Sequence, residues 1–103
     1  MIVYEVTLTV QRAIEPAFRE WLGPHVREIV ALPGFLGAQV YELAATPGAD
    51  EAVVFCTQYR LADQESLDAY LREHAPRMRQ DGIARFGDGF RAERRVLRLT
   101  QAY

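Results

Sequence analysis

The sequence predicts one α+β domain over residues 1–103, with the ferredoxin-like order strand, helix, strand, strand, helix, strand (βαββαβ). Three observations lead to this class. The chain opens with a segment in which apolar and polar side chains alternate, and two later segments carry apolar residues at helical spacing. Between those segments lie two short apolar stretches separated by a Pro-Gly turn. A chain of this length has room for one hydrophobic core.

The first strand is predicted over residues 2–10, where β-branched and apolar side chains recur at every second position. The first helix is predicted to begin near Pro16, since proline suits the first helical turn. Its apolar stripe consists of Phe18, Leu22, Val26, Ile29 and Val30. The Gly23-Pro24 pair predicts a kink or a restart, and Leu32-Pro33-Gly34 ends the helix.

Two more strands are predicted at Phe35 to Leu43 and at Ala52 to Arg60. The segment from Ala44 to Glu51, with Pro47-Gly48, reads as a loop that makes them antiparallel neighbours.

A second helix follows, with Asp63 as a plausible N-cap. Its apolar spacing runs from Leu67 to Met78, and Pro76 predicts an end or a kink within it. The last strand is predicted from Phe90 to Thr100.

Right-handed crossovers place the first and third strands in the middle of a four-stranded antiparallel sheet with both helices on one face. The helices are expected to cover Tyr4, Val6 and Leu8. The other face is uncovered within one monomer. Its expected members are Glu5, Thr7, Gln39, Tyr41, Val54, Cys56, Gln58, Arg60, Ala92, Arg94, Val96 and Arg98. Because about half of this face is apolar, a second copy or a ligand is expected to cover it, and a symmetric homodimer is favoured.

Composition narrows the function classes. No apolar stretch is long enough to span a membrane, and the N-terminus does not resemble a signal peptide, so a cytoplasmic protein is predicted.

All twelve basic residues are arginines. Residues 72–98 contain eight of them and four acidic residues, which gives this segment a net charge of +4. These arginines are interpreted mainly as a solvated, paired surface, with binding of acidic partners as the alternative. No nucleic-acid signature is present.

The chain resembles the bacterial DUF4286 family of small proteins. The resemblance depends on MIVYEVTLTV, FLGAQVYEL, the QYR that ends the third strand, LDAYLREHAPRMRQDGIARFGDGF, and the RRVL of the last strand. It implies a dimeric α+β barrel in which two ferredoxin-like monomers pack sheet against sheet. It brings no established activity. Proteins of that architecture include cofactor-free monooxygenases, haem-binding enzymes, isomerases and small-molecule effector domains, among which the fold alone does not choose.

The candidate ligand-binding residues lie mainly on the open face. Glu5, Arg60 and Arg94 are expected to meet there, either as a paired cluster at a dimer interface or as a site for an anionic ligand or enolate. The residues expected to line the same space are Thr7, Gln39, Tyr41 and Gln58.

Four further side chains each have a structural and a chemical interpretation. His74 corresponds to a haem ligand in some proteins of this architecture, but it is also placed to cap carbonyls freed by the break at Pro76. His25 and Glu28 share a helix face and could begin a metal site. The chain has only two histidines, which is too few ligands to favour such a site, so no metal and no cofactor are predicted. Cys56 is interpreted as a small buried hydrophobe, because a strand interior does not activate a thiol.

Three functions remain open from the sequence. The first is binding of a small organic ligand within the barrel. The second is catalysis of the cofactor-independent monooxygenase or isomerase kind. The third is a protein-interaction module that uses the arginine-rich end.

Overall fold

The computed structural model describes residues 1–44 and 51–103. Its strands and helices are β1 (Ile2–Gln11), α1 (Glu15–Val30), β2 (Phe35–Glu42), β3 (Ala52–Leu61), α2 (Gln64–Glu73), α3 (Ala75–Phe86) and β4 (Phe90–Arg98). Single 3-10 turns lie at Arg12–Ile14 and Gly87–Gly89. The predicted hairpin loop falls largely outside the described residues.

The four strands form one antiparallel sheet in the order β2-β3-β1-β4. This confirms the predicted ferredoxin-like topology with the first and third strands at the centre. The helices cover one face, as expected, and the core lies between them and the sheet. Its fully buried side chains include Val10, Phe18, Leu61 and Leu67.

The first helix spans the Gly23-Pro24 pair. Helix α1 continues through Pro24 without a restart, so that part of the prediction was wrong. Proline removes one internal hydrogen bond, but Leu22 before it and Ile29 after it are both buried. This packing on both sides of Pro24 keeps the helix in one piece.

The second helical segment breaks where Pro76 predicted a break. Helix α2 ends at Glu73, and α3 begins at Ala75 with proline in its first turn. The predicted N-cap is also confirmed, since the Asp63 carboxylate accepts hydrogen bonds from the backbone N–H and the hydroxyl of Ser66, each at 2.8 Å. Ser66 in turn lies against Gly34, whose φ of 87° and lack of a side chain allow this close approach.

The alternation of β1 places its side chains on two chemically different faces. Tyr4, Val6 and Leu8 are buried beneath the helices, as predicted. Glu5 and Thr7 point to the open face, where they lie beside Gln58 and Cys56 of β3.

The prediction of which β4 side chains lie on the open face was wrong, because the alternation is shifted by one residue. Arg94 is the register partner of Val6 and therefore lies on the helix-covered side. The residues placed on that side with it are Ala92, Val96 and Arg98, all of which had been assigned to the open face. Arg95, the register partner of Glu5, lies on the open face instead. Arginines occupy both even-numbered and odd-numbered positions of this strand, so the alternation of apolar and polar side chains does not show which face the helices cover.

None of the helices within residues 1–44 and 51–103 is both long enough and apolar enough to cross a membrane.

Candidate functional site

A partly open cleft lies between the sheet and the helices. Its volume is about 260 Å³. The sheet forms its floor, α1, α2 and α3 form its walls, and exposed residues such as Ile83 and Arg94 mark where it meets solvent. The lining is mainly aromatic and aliphatic and consists of Tyr4, Val6, Leu8, Trp21, Leu22, His25, Ile29, Thr57, Tyr59, Tyr70, Met78, Arg79, Gly82, Ile83, Gly87, Phe90, Arg91, Ala92 and Arg94.

Three tyrosines from three elements meet in the cleft. The ring of Tyr4 on β1 lies 6.1 Å from that of Tyr59 on β3 and 6.0 Å from that of Tyr70 on α2. Burial raises the pKa of Tyr59, and it raises the pKa of Tyr70 to about 12. Both hydroxyls therefore stay protonated at neutral pH and can donate or accept a hydrogen bond.

A stacked pair on α1 forms one wall. The rings of Trp21 and His25 lie 4.2 Å apart, and the Trp21 indole N–H donates to Asp81 on α3 at 3.1 Å. The Nδ1 atom of His25 is buried and has no hydrogen-bond partner among the described residues. Burial is the main cause that lowers the pKa of His25, against the weaker opposing effect of Asp81 and Glu28. The wall therefore presents a neutral imidazole.

A second unpaired polar atom lies in the floor. Thr57 of β3 is fully buried, and its hydroxyl oxygen also has no hydrogen-bond partner within residues 1–44 and 51–103. Buried polar groups are nearly always hydrogen-bonded, because an unpaired one costs on the order of 1–3 kcal/mol. Thr57 and His25 both line the cleft, and each carries a buried polar atom without a partner among the described residues.

Two helical features keep the cleft narrow. Gly82 of α3 lies so close to the opposite wall that an added Cβ would be 3.1 Å from Trp21 and 3.2 Å from Phe90. Arg79 of α3 donates to the Tyr4 hydroxyl of β1 at 3.1 Å and so joins the wall of the cleft to its floor.

The sequence-predicted residues divide between the two faces of the sheet. Of the eight candidates, Arg94 lines the cleft, although the sequence placed it on the open face. Glu5 lies at the centre of the open face and is only 3% exposed. Arg95 donates to one of its carboxylate oxygens, and Gln58 donates to the other at 2.9 Å. The expected cluster of Glu5 with Arg60 and Arg94 is therefore replaced by one with Arg95 and Gln58.

Glu5, Arg95 and Gln58 form a polar network in which both carboxylate oxygens accept a hydrogen bond. The hydrogen bond from Arg95 is the main cause that holds the pKa of Glu5 below its ordinary value, and burial opposes it. Cys56 and Thr7 lie beside it across the β1–β3 ladder. Burial, together with the adjacent Glu5, raises the pKa of the Cys56 thiol, so this cysteine is not an activated nucleophile.

The other open-face candidates lie toward the β2 edge. The Tyr41 hydroxyl donates to Gln39 at 3.0 Å, and both side chains are exposed. The guanidinium of Arg60 lies over Gly37, in space that a larger residue would fill. These three residues do not line the cleft.

His74 lies at the junction of α2 and α3. Its Nδ1 atom is 3.3 Å from an Arg77 guanidinium nitrogen, and its side chain does not cap the following helix. Capping of the carbonyls freed at Pro76 stays a prediction, and His74 does not line the cleft. No group of three or more His, Cys, Asp or Glu side chains within the described part of the chain is arranged to hold a metal ion.

Much of the arginine-rich segment is paired. Arg77 contacts Glu28, Arg85 contacts Asp81, and Arg72 contacts Glu73. The interpretation of these residues as a paired surface agrees with these contacts.

The sequence had assigned no binding role to most of the cleft. Tyr4 was expected beneath the helices, and His25 was considered only together with Glu28 as the start of a metal site. A usable signal was available, because tyrosine hydroxyls at helix-facing positions require partners or open space. No local sequence pattern shows that six strands and helices converge on one space.

Comparisons with known proteins bear on the fold and the family. The family model described as a domain of unknown function, DUF4286, matches residues 1–100. No protein with a curated description matches the sequence.

Among solved structures, a candidate antibiotic biosynthesis monooxygenase from Deinococcus radiodurans superposes with a TM-score of 0.76 at 14% identity, covering 100% of this chain and 96% of that one. An ethyl tert-butyl ether degradation (EthD) family protein from Bacillus halodurans gives a TM-score of 0.68 at 21% identity, covering 97% and 100%. SnoaB, a cofactor-independent oxygenase from Streptomyces nogalater, gives 0.67 at 12%, covering 98% and 95%. At these identities the likeness concerns the fold.

Proposed function

The chain belongs to the DUF4286 family, and we propose that it binds a small, largely aromatic organic molecule in the cleft between its sheet and helices. The observation that carries this proposal is the pair of buried, unpartnered polar atoms, His25 Nδ1 and Thr57 Oγ1, in an otherwise mainly apolar cleft. Largely apolar pockets with a few well-placed polar groups are typical of small-molecule sites.

The size of the cleft favours a ligand of one or two rings. Its 260 Å³ lies just below the roughly 300 Å³ at which ligand pockets commonly begin. An apolar cavity of about 150 Å³ already admits benzene. The flat faces of Trp21, Tyr59 and Tyr70 suit an aromatic guest.

This proposal moves the ligand from the barrel interior to the helix-covered face. The open-face candidates Glu5 and Gln58 already satisfy one another, whereas His25 and Thr57 have polar capacity to spare. We assign the open face to a second copy of the chain instead. Such a homodimer covers Val54, Thr7 and Cys56, and it leaves the two clefts on the outer sides of the assembly.

A titration with 2-naphthol tests the binding proposal. Ala92 of β4 lines the cleft, so Ala92→Leu fills part of it. Overpacking commonly costs about 1–3 kcal/mol, so the affinity should fall about ten-fold or more. Ala84→Leu makes the same change at an exposed position on α3 and should leave binding unchanged. Absence of naphthol binding by calorimetry, or equal affinity in both variants, overturns the proposal.

A second candidate function is oxidation of such a molecule by dioxygen without a cofactor. It is favoured by the neutral imidazole of His25, which can accept a proton inside the cleft, and by the guanidinium of Arg79, which can stabilise a phenolate. For 1-naphthol the balanced reaction yields 1,4-naphthoquinone. One atom of dioxygen becomes the new carbonyl oxygen, and the other leaves as water with the two hydrogens lost from the ring and the hydroxyl.

Oxygen uptake with 1-naphthol separates this candidate from binding alone. His25→Phe keeps an aromatic ring against Trp21 but removes the polar nitrogen atoms, so the variant should bind 1-naphthol more weakly and lose quinone formation even at saturating 1-naphthol. If wild-type protein binds 1-naphthol without consuming oxygen, oxidation of this substrate class fails and the binding proposal stands.

A further inference from the structure

The rim of the cleft is cationic. Its lining contains Arg79, Arg91 and Arg94 and, within the described residues, no carboxylate. Arg91 has a partner, because its guanidinium lies 3.9 Å from Glu93 in an exposed pair. The other two arginines form no ion pair with a carboxylate of residues 1–44 or 51–103.

Those two arginines converge on the same part of the cleft from different elements. Arg79 comes from α3 and donates to the Tyr4 hydroxyl, while Arg94 comes from β4 in register with Val6. Both positive charges act on Tyr70, where each lowers the pKa against the larger effect of burial. Both arginines line the same cleft as the three tyrosines.

Three other arginines of the chain are paired instead. Arg77, Arg85 and Arg95 each have a carboxylate partner. A guanidinium beside an aromatic cleft can bind a planar carboxylate through two parallel hydrogen bonds. Two unpaired guanidinium groups at one rim thus match a ligand with one planar anionic end.

We propose that the ligand of the cleft is an aryl carboxylate of one or two rings, with its carboxylate held by Arg79 and Arg94 at the rim. The ring then lies against the tyrosines, and polar substituents of the ring reach Thr57 or His25. This inference rests on the proposed binding function and names the class of ligand for that same site.

A matched pair of probes tests the inference. The planar molecules 2-naphthoate and 2-naphthamide have nearly the same shape and differ in charge. Calorimetry should show that the carboxylate binds roughly five-fold or more tightly than the amide, since each charge-assisted contact at a partly exposed site contributes modestly.

Three variants test whether Arg79 and Arg94 cause the preference for the carboxylate over the amide. Arg79→Gln and Arg94→Gln each keep a hydrogen-bond donor without the charge, and each should reduce the ratio of the two affinities, with the double variant removing it. Arg98→Gln is the control, because it removes the same charge from the same side of β4, four residues beyond Arg94 and outside the cleft lining. It should keep the ratio.

The possible results distinguish a failure of the aryl-carboxylate inference from a failure of the proposed ligand binding itself. Equal affinity for the two naphthalenes in wild-type protein, or a carboxylate preference that persists in the double variant, overturns the aryl carboxylate and leaves ligand binding intact. Failure of both probes and of 2-naphthol to bind removes the binding function itself. Circular dichroism of each variant establishes that a lost preference does not come from a lost fold.

Discussion

Arg79 and Tyr4 are 75 positions apart in the chain and are joined by a hydrogen bond of 3.1 Å between the guanidinium and the phenol oxygen. This contact ties α3, the last helix, to the strand at the centre of the sheet. Because α3 forms one wall of the cleft and β1 its floor, the bond spans the site between them.

Tyr4→Phe removes that bond without changing the ring. A hydrogen bond of this kind contributes about 0.5–1.5 kcal/mol, so the free energy of unfolding should fall by about 1 kcal/mol. Urea denaturation measures the change. Tyr41→Phe is the control, since its hydroxyl bonds only to exposed Gln39, and an equal loss in both variants contradicts the assigned role.

Thr57→Val replaces an unpaired buried hydroxyl by a methyl group of similar size. The free protein should become as stable as wild type or up to about 1 kcal/mol more stable, because a desolvation penalty disappears. Affinity for 2-naphthol should fall. Thr9→Val on the open face should leave that affinity unchanged, and a marked loss of stability in Thr57→Val would show that the hydroxyl already has a partner.

His25 should make the protein sensitive to mild acid. Burial lowers its pKa in the folded state below that of the unfolded chain, so the unfolded state takes up a proton first as the pH falls. The stabilising contribution is complete above the unfolded pKa, near 6.5, and is lost as the pH falls from there through the folded pKa. The loss is at most about 1.4 kcal/mol for each pH unit that separates the two pKa values.

The measurement is the free energy of unfolding from neutral pH down to about pH 5, compared between wild type and His25→Phe. The variant should lose less stability over this window. Parallel curves would mean that His25 titrates alike in the folded and unfolded protein.

The Glu5–Arg95 pair also adds stability that acid removes, but at lower pH. The hydrogen bond from Arg95 lowers the pKa of Glu5, so its contribution is present above the unfolded pKa of about 4.5 and is lost as the pH falls through the folded value. Arg95→Gln should therefore destabilise the protein at neutral pH and have less effect in acid. Arg91→Gln, whose arginine has a long and exposed ion pair, should have little effect at either pH.

The homodimer is tested at the centre of the open face. Thr7→Arg places a long charged side chain on β1 where we propose that two sheets meet, and it should convert a dimer to a monomer in sedimentation velocity. Gln80→Arg adds the same charge at an exposed position on α3 and should remain dimeric. A wild-type protein that sediments as a monomer at micromolar concentration refutes the assembly.

Much of the fold could be predicted because its strongest signals are local. The alternation in β1 places Tyr4 and Glu5 on opposite faces, and Pro76 marks the break between α2 and α3. The facing of β4 could not be predicted in the same way. Arg94 and Arg95 are adjacent, equally charged and both exposed, so only the hydrogen-bonded register decides which of them meets Glu5.

The cleft was harder to predict than the fold because its residues look like core when each is taken alone. Tyr70 occupies an apolar helical position, and His25 stands beside an apolar stripe. Their significance depends on distances between elements, such as the 6.0 Å between the Tyr4 and Tyr70 rings. Sequence spacing carries no such distance.

The alternation of β1 has a consequence for how this protein can change over time. Tyr4, Val6 and Leu8 contribute to the floor of the cleft, and the odd-numbered side chains of the strand lie on the open face. A substitution at Val6 or Leu8 reshapes the proposed ligand site while the residues proposed to join two copies stay as they are, and the reverse holds at Thr7. Under these two proposals, selection can change binding and assembly as separate traits encoded on a single ten-residue strand.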